Sequence, residues 1–92
     1  MNTPKIAVIV AAKNAERTIT KCIESLLTVD YPNYEVIVVD DGSQDQTPYL
    51  IDRYKNTVKI ITLSGVGPSS ARNIAVSQAQ ADYVAFTDSD CI

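Results

Sequence analysis

The stretch "VIVVDDGSQDQT", residues 36–47, is the most informative segment for the fold, because it passes from an apolar run into a turn through two adjacent carboxylates. An unbroken run of β-branched residues is typical of a strand buried on both faces, as in a parallel sheet. Asp-Gly is a strong hairpin signal, but the next segment has helical spacing, so Gly42 is predicted to lead from strand into helix with an unusual φ. Ionised carboxylates are costly to bury, so Asp40 and Asp41 are expected at an edge where other groups compensate them. One of the two could instead cap the following helix.

Four short runs of strand length alternate with three helical patterns along the chain. Strands are predicted over residues 5–11, 34–39, 58–63 and 83–87. The first helix has a candidate cap at Asn14 and presents an apolar stripe made of Ile19, Cys22, Ile23, Leu26 and Leu27.

The second helix is predicted to begin near Thr47 as cap and Pro48 at its first position, since proline suits the first turn. Its inward residues are Leu50, Ile51 and Tyr54. The third helix is predicted from about residue 68 to residue 80. The alternation predicts an α/β fold: a three-layer, Rossmann-like parallel sheet flanked by helices.

Composition limits the classes of partner and cofactor. The chain has 92 residues, enough for one domain at most, and a net charge of -3 with scattered Lys and Arg, which argues against nucleic acid. Two cysteines and no histidine cannot form a zinc site, and a reduced, cytoplasmic chain is expected. The longest apolar run is far shorter than the roughly 20 residues of a spanning helix, so no membrane span is expected in this chain.

Polar residues follow three of the predicted strands at their carboxyl ends. In open parallel sheets this is where ligands bind, next to the point where the strand order reverses. These residues are therefore expected to meet in one crevice: Lys13 and Asn14, Asp40 and Asp41, and Asp88 and Asp90.

The triplet "DSD", residues 88–90, has the spacing of a divalent-cation site. Residues two apart in extended backbone point the same way, so Asp88 and Asp90 would repel each other unless a cation lies between them. Oxygen ligands without His or Cys favour Mg²⁺ or Mn²⁺. An acidic triplet alone is most often a solvated loop, and the position after an apolar strand is what favours a metal.

The segment "SGVGPSSARN", residues 64–73, resembles a phosphate loop only in its glycines. It lacks the Lys-Ser/Thr ending of a P-loop and does not follow the first strand, as a dinucleotide fingerprint would. A glycine-rich helix start with Arg72 one turn in is compatible with a bound anion. A salt bridge from Arg72 to a crevice aspartate is an equally good alternative, and Lys13 has the same two alternatives.

Three segments together resemble the N-terminal half of family 2 glycosyltransferases, which have the GT-A fold: "VIVAAKNAERTITKCIESLL", "YEVIVVDDGSQDQT" and "GPSSARNIAVSQAQADYVAFTDSD". The resemblance implies that residues 1–92 are the donor-binding part of such an enzyme. With right-handed crossovers, it also implies the strand order 3-2-1-4.

The resemblance also implies roles for individual residues, which we carry over by position. Ala12, Lys13 and Asn14 would lie against the nucleoside, Asp41 or Asp40 would hydrogen-bond the base, Arg72 and Asn73 would lie beneath the donor, and Asp88 and Asp90 would match the metal-binding DxD motif.

This chain departs from the family pattern in two places. The family often has Pro-Thr-Tyr-Asn-Glu where this chain has "AAKNA", so a possible stacking surface is missing, although UDP remains the default nucleotide. The family continues beyond the DxD motif with an acceptor-binding half, so a catalytic base is expected beyond Ile92.

The sequence thus predicts a glycosyltransferase fragment that binds a nucleotide sugar, with a sugar or lipid-linked acceptor that it does not identify. A sugar-nucleotide nucleotidyltransferase is an alternative, but the loop after the first strand lacks glycine. A receiver-like signalling domain would carry its acidic pair after the first strand. A non-catalytic nucleotide-binding or assembly module also remains open. The fourth strand would be an apolar edge, so a homo-oligomer is expected.

Overall fold

The computed structural model describes residues 3–89, in which four strands alternate with three helices. The elements are β1 (Ile6–Ala12), α1 (Ile19–Leu26), β2 (Tyr34–Asp41), α2 (Thr47–Asp52), β3 (Lys59–Leu63), α3 (Pro68–Gln78) and β4 (Tyr83–Asp88). Every predicted strand and helix is present. No helix in this range is long and apolar enough to cross a bilayer.

The strands form one parallel sheet in the order β3-β2-β1-β4, which confirms the predicted fold. Ala12 of β1 pairs with Asp40 of β2, and Ala11 of β1 pairs with Asp88 of β4. The carboxyl end of β1 therefore lies between the ends of β2 and β4, where the strand order reverses. This is the position at which open α/β sheets bind ligands.

The two faces of the sheet are buried by different helices. Val36 and Val38 of β2 belong to a core formed with α1 and α2, whereas Ile37 and Val39 belong to a second core formed with α3. Alternate residues of a strand point to opposite faces, so the two alternating sets of apolar residues in β2 are buried on opposite faces of the sheet. We call these faces the α2 side and the α3 side.

Two predicted helix caps are wrong, because the side chains concerned serve the loops instead. Helix α1 has Thr18 as its N-cap, while Asn14 lies upstream with a left-handed φ of 52°. Thr47 is the first residue of α2, after the N-cap Gln46, and its hydroxyl accepts the Ala15 N–H at 2.8 Å.

Gly42 leads from β2 into the turn before α2 with an unusual φ of 77°, as the sequence predicts. A Cβ at this position would lie 2.9 Å from the backbone nitrogen of Gly65, closer than side-chain carbons approach other atoms. The β2–α2 turn and the β3–α3 loop are therefore in direct backbone contact, and only glycine permits that approach.

We predict that Gly42→Ala lowers the free energy of unfolding by about 3 kcal/mol, because it combines backbone strain with a steric clash. The matched control is Gly65→Ala, where φ is 94° but the nearest atom to a new Cβ is the Lys13 Nζ at 3.9 Å. Its cost should be about 1–2 kcal/mol, from strain alone. Urea unfolding followed by circular dichroism measures both, and equal losses would contradict the close contact.

Candidate functional site

Asp41 is a buried carboxylate that is compensated by three backbone N–H groups. Its Oδ1 accepts the backbone N–H groups of Gly65 at 3.0 Å and Val66 at 2.8 Å, and its Oδ2 accepts that of Gly67 at 2.9 Å. The side chain is almost fully buried, with 4% of the residue exposed. A buried strand can end in this carboxylate because three backbone donors replace the water that it loses.

These contacts favour the ionised form of Asp41. The Val66 N–H is the largest influence and lowers the pKa of this carboxyl below its ordinary value. Burial raises the pKa, but the N–H groups of Gly67 and Gly65 and the positive charge of Lys13 lower it further, so the pKa is lowered overall. The carboxylate is therefore charged at neutral pH and fixes the loop that leads into α3.

A small cleft opens beside this carboxylate on the α3 side of the sheet. Its volume is about 190 Å³, and it is lined by Ala11, Ala12, Lys13, Asp41, Pro68 and Ala71. We call it the α3-side cleft. Its walls are short apolar side chains with one cation and one anion, so it suits a flat, partly polar group that approaches the backbone closely.

Asp40 points to the other side of the sheet. It is 2% exposed, and its Oδ1 accepts the N–H of Ser43 at 3.1 Å. It lines a separate cavity of about 360 Å³ on the α2 side, together with Tyr49, Asp52 and Thr62. The structure thus separates the two carboxylates that were expected in one crevice, because neighbouring strand residues face opposite ways.

The remaining predicted residues lie around the α3-side cleft but do not line it. The Oδ1 of Asn14 accepts the Gln44 N–H at 2.8 Å, and Arg72 is half-buried in the first turns of α3. The ion pair found within residues 3–89 joins Lys5 to Glu35, at 3.6 Å. In this part of the chain Arg72 therefore does not form the alternative salt bridge to Asp40, Asp41 or Asp88.

The predicted metal ligands are only partly within the described range. Asp88 is exposed at the end of β4 and, through its pairing with Ala11, lies on the α3 side. Asp90 lies outside the described residues. Residues 3–89 contain no group of three or more His, Cys, Asp or Glu side chains that could hold a metal by themselves.

Sequence reasoning missed a set of hydrogen bonds between the β1–α1 and β2–α2 loops. Asn14 N–H donates to the Ser43 Oγ at 2.9 Å, and Glu16 N–H donates to the Asp45 Oδ2 at 3.2 Å. Burial raises the pKa of Asp45, but bonds from the Thr47 hydroxyl and from the N–H groups of Thr47 and Glu16 lower it overall. The available signal was the clustering of Ser, Asp and Thr after β2, since these side chains readily bond backbone groups.

The chain belongs to the family described as glycosyl transferase family 2, whose model matches residues 7–92. A relative is the poly(ribitol-phosphate) beta-N-acetylglucosaminyltransferase TarS of Staphylococcus aureus, 39% identical over 92 residues. That match covers 94% of this chain and 16% of TarS, so the chain spans only a small part of this relative's length.

Solved structures of two glycosyltransferases superpose well on this chain. TarS 1-349 of S. aureus in complex with UDP-GlcNAc has a TM-score of 0.85 and 41% identity, and the match covers 94% of this chain and 26% of that one. The mannosyltransferase PcManGT of Pyrobaculum calidifontis, in complex with GDP-Man and Mn²⁺, has a TM-score of 0.89 and 30% identity. Its match covers 97% of this chain and 28% of that one.

We predict that Asp41→Asn destabilises the chain at neutral pH and that the loss shrinks in acid. The folded pKa of Asp41 lies below the ordinary value of 3.8, so its stabilising contribution is complete above that pH and disappears as pH falls through the folded pKa. Urea unfolding of wild type and variant between pH 7 and pH 2 measures the difference.

The exposed Asp30 provides the control, as Asp30→Asn should leave stability nearly unchanged at every pH. A stability difference between wild type and Asp41→Asn that stays constant down to pH 2 would contradict the charged state of Asp41.

Proposed function

We propose that this chain is the donor-binding part of a glycosyltransferase and that it binds a nucleotide diphosphate sugar in and around the α3-side cleft. The observation that carries the proposal is the cleft itself, formed by Lys13 and Asp41 at the strand-order reversal of a family 2 fold. TarS, which is 41% identical over the matched region, is known in complex with UDP-GlcNAc. A UDP-sugar is therefore the donor that we propose.

The base and ribose fit the chemistry of this cleft. A carboxylate offers about four acceptor positions, and Asp41 uses three of them on the backbone, which leaves one for a ring N–H of the base. Ala11 and Ala12 present no bulk beyond Cβ, so a nucleoside can approach the end of β1. Lys13 adds a positive charge at the edge of the cleft.

A diphosphate is stabilised by nearby positive charge, but this chain has a net charge of -3. We propose that Asp88 and Asp90 hold Mg²⁺ or Mn²⁺ between the chain and the phosphates. The exposed position of Asp88 on the α3 side supports this, as does the Mn²⁺ bound with GDP-Man in PcManGT. When bound, the cation would neutralise charge on the diphosphate.

The residues that bind the acceptor and the residue that acts as catalytic base are a separate question from donor binding. We propose that they belong to sequence beyond residue 92, because the chain covers only 16% of TarS. Two rival functions are a nucleotidyltransferase, which would transfer a nucleotidyl group, and a nucleotide-binding or assembly module, which would catalyse no reaction. The cytoplasmic location expected from the sequence also stays a prediction.

We predict weak, metal-dependent binding of UDP to this chain and no transfer of sugar from UDP-sugars. Calorimetric titration with UDP, with and without Mn²⁺, measures the first part. Asp88→Asn and Asp90→Asn should each lower the metal-dependent affinity by about 10-fold or more, on the scale of changes to metal ligands and their neighbours. Any metal-independent binding should be retained.

The control for charge alone is Asp30→Asn, which removes an exposed carboxylate in the loop between α1 and β2. UDP binding that ignores both Mn²⁺ and the Asp88 and Asp90 changes would contradict the metal site. Absence of UDP binding would contradict the proposed donor.

We also propose that this chain self-associates through β4. Within residues 3–89 this strand pairs only with β1, so its outer edge offers unpaired backbone groups. Phe86 and Val84 on its α3 side are 52% and 36% exposed. An apolar edge strand of this kind is covered most simply by the same edge of a second copy.

We predict dimers or larger assemblies in light scattering at high micromolar concentration, and a shift towards monomer in Phe86→Lys. A lysine on the edge strand makes apolar association unfavourable. Tyr49→Lys is the matched control, since Tyr49 is 69% exposed but lies on the α2 side. A wild-type chain that is monomeric, or a Tyr49→Lys variant that dissociates equally, would contradict the β4 interface.

A further inference from the structure

The loops that follow β1 and β2 are joined by a continuous set of hydrogen bonds. Residues 14–16 bond residues 43–47 through five contacts: Asn14 N–H to Ser43 Oγ, Gln44 N–H to Asn14 Oδ1, Ala15 N–H to Thr47 Oγ1, Glu16 N–H to Asp45 Oδ2, and Gln46 N–H to Glu16 Oε1. We call this set the interlock. It joins residues about 30 apart in sequence, so it constrains the loops far more than local turns do.

Thr47 occupies the centre of the interlock. It is 0% exposed, its Oγ accepts the Ala15 N–H at 2.8 Å, and its hydroxyl bonds the Asp45 carboxylate. The Oδ2 of that carboxylate accepts the backbone N–H of Glu16 at 3.2 Å, and its Oδ1 accepts that of Thr47 at 2.9 Å. Thr47 is buried, so its bond to Ala15 is costly to break, because water does not readily replace the hydroxyl as acceptor of the Ala15 N–H, whereas the other bonds of the interlock lie nearer the solvent.

The interlock begins one residue after the cleft wall ends. Ala12 and Lys13 line the α3-side cleft, and the next residue, Asn14, is held by both its N–H and its side chain in a left-handed conformation. Thr47 and Asp45 do not line the cleft themselves. Any change in their bonds therefore reaches the cleft through the path of the backbone at residues 12–14.

We infer that Thr47, with Asp45 and Ser43, is a positioning residue for the nucleotide, which sets the placement of Ala12 and Lys13 through the interlock. This inference rests on the proposed function, since it names what the cleft wall is positioned for. Small displacements of binding groups lower affinity steeply, so the hydroxyl of a residue outside the cleft should control nucleotide affinity.

The test compares two substitutions at Thr47 in this chain. Thr47→Val keeps the shape but removes the hydroxyl, and we expect it to weaken UDP binding by about 10-fold in calorimetry with Mn²⁺ present. Thr47→Ser keeps the hydroxyl and should bind UDP within about twofold of wild type. In the nucleotide-free chain, amide hydrogen exchange at Ala15 should become faster in Thr47→Val only.

A general loss of stability is separated from positioning by Val58→Ala. Val58 is 6% exposed in the α2-side core and precedes the amino end of β3, away from the carboxyl strand ends that form the cleft, so this change lowers stability without removing a bond of the interlock. Affinity per folded molecule should match wild type in Val58→Ala. Equal affinities in Thr47→Val and wild type, or equal losses in Thr47→Val and Val58→Ala, overturn the inference.

Ser43→Ala decides the matter if Thr47→Val does not fold. It removes the acceptor of the Asn14 N–H from a half-buried site, and it should weaken UDP binding several-fold, whereas unchanged binding overturns the inference. If the proposed function is wrong, the result differs: the wild-type chain itself binds no UDP, and that result overturns the positioning role as well.

Discussion

The arrangement at the carboxyl end of this sheet depends on one buried carboxylate, that of Asp41, held by the backbone N–H groups of Gly65, Val66 and Gly67. These bonds draw the loop before α3 across the end of β2 and so place Pro68 and Ala71 opposite Lys13. The close approach requires glycine at position 42, because any Cβ there would meet the backbone of Gly65. The three N–H groups of this turn thus bind an anionic side chain of the protein itself.

The two-residue period of β2 explains how one strand serves two sides of the molecule. Asp40 continues the row of Val36 and Val38 to the α2 side, and Asp41 continues the row of Ile37 and Val39 to the α3 side. Asp41 is compensated by three backbone N–H groups of the loop before α3, and Asp40 by the N–H of Ser43. The adjacent acidic pair therefore serves two separate surfaces, and only that of Asp41 adjoins the candidate nucleotide cleft.

Much of the fold could be predicted from the sequence, since uninterrupted β-branched runs and the helical spacing of residues such as Ile19 and Ile23 are local signals. The strand order came from handedness together with the family resemblance. The candidate site was less predictable. The left-handed Asn14 and the hydroxyl of Thr47 are fixed by partners about 30 residues away, which no local pattern specifies. Arg72 is a further case, since the sequence offered it several aspartates as partners and, within residues 3–89, it forms no salt bridge with any of them.

The most direct test of this account is an amide chemical-shift map of the wild-type chain during titration with UDP and Mg²⁺. If the cleft beside Asp41 binds the nucleotide, the largest shifts should fall on Ala11 to Lys13, Asp41 and Ala71, with little change around Tyr49 and Asp52 on the α2 side. Shifts concentrated on the α2 side, around Asp40 and Asp52, would contradict the placement of the nucleotide on the α3 side.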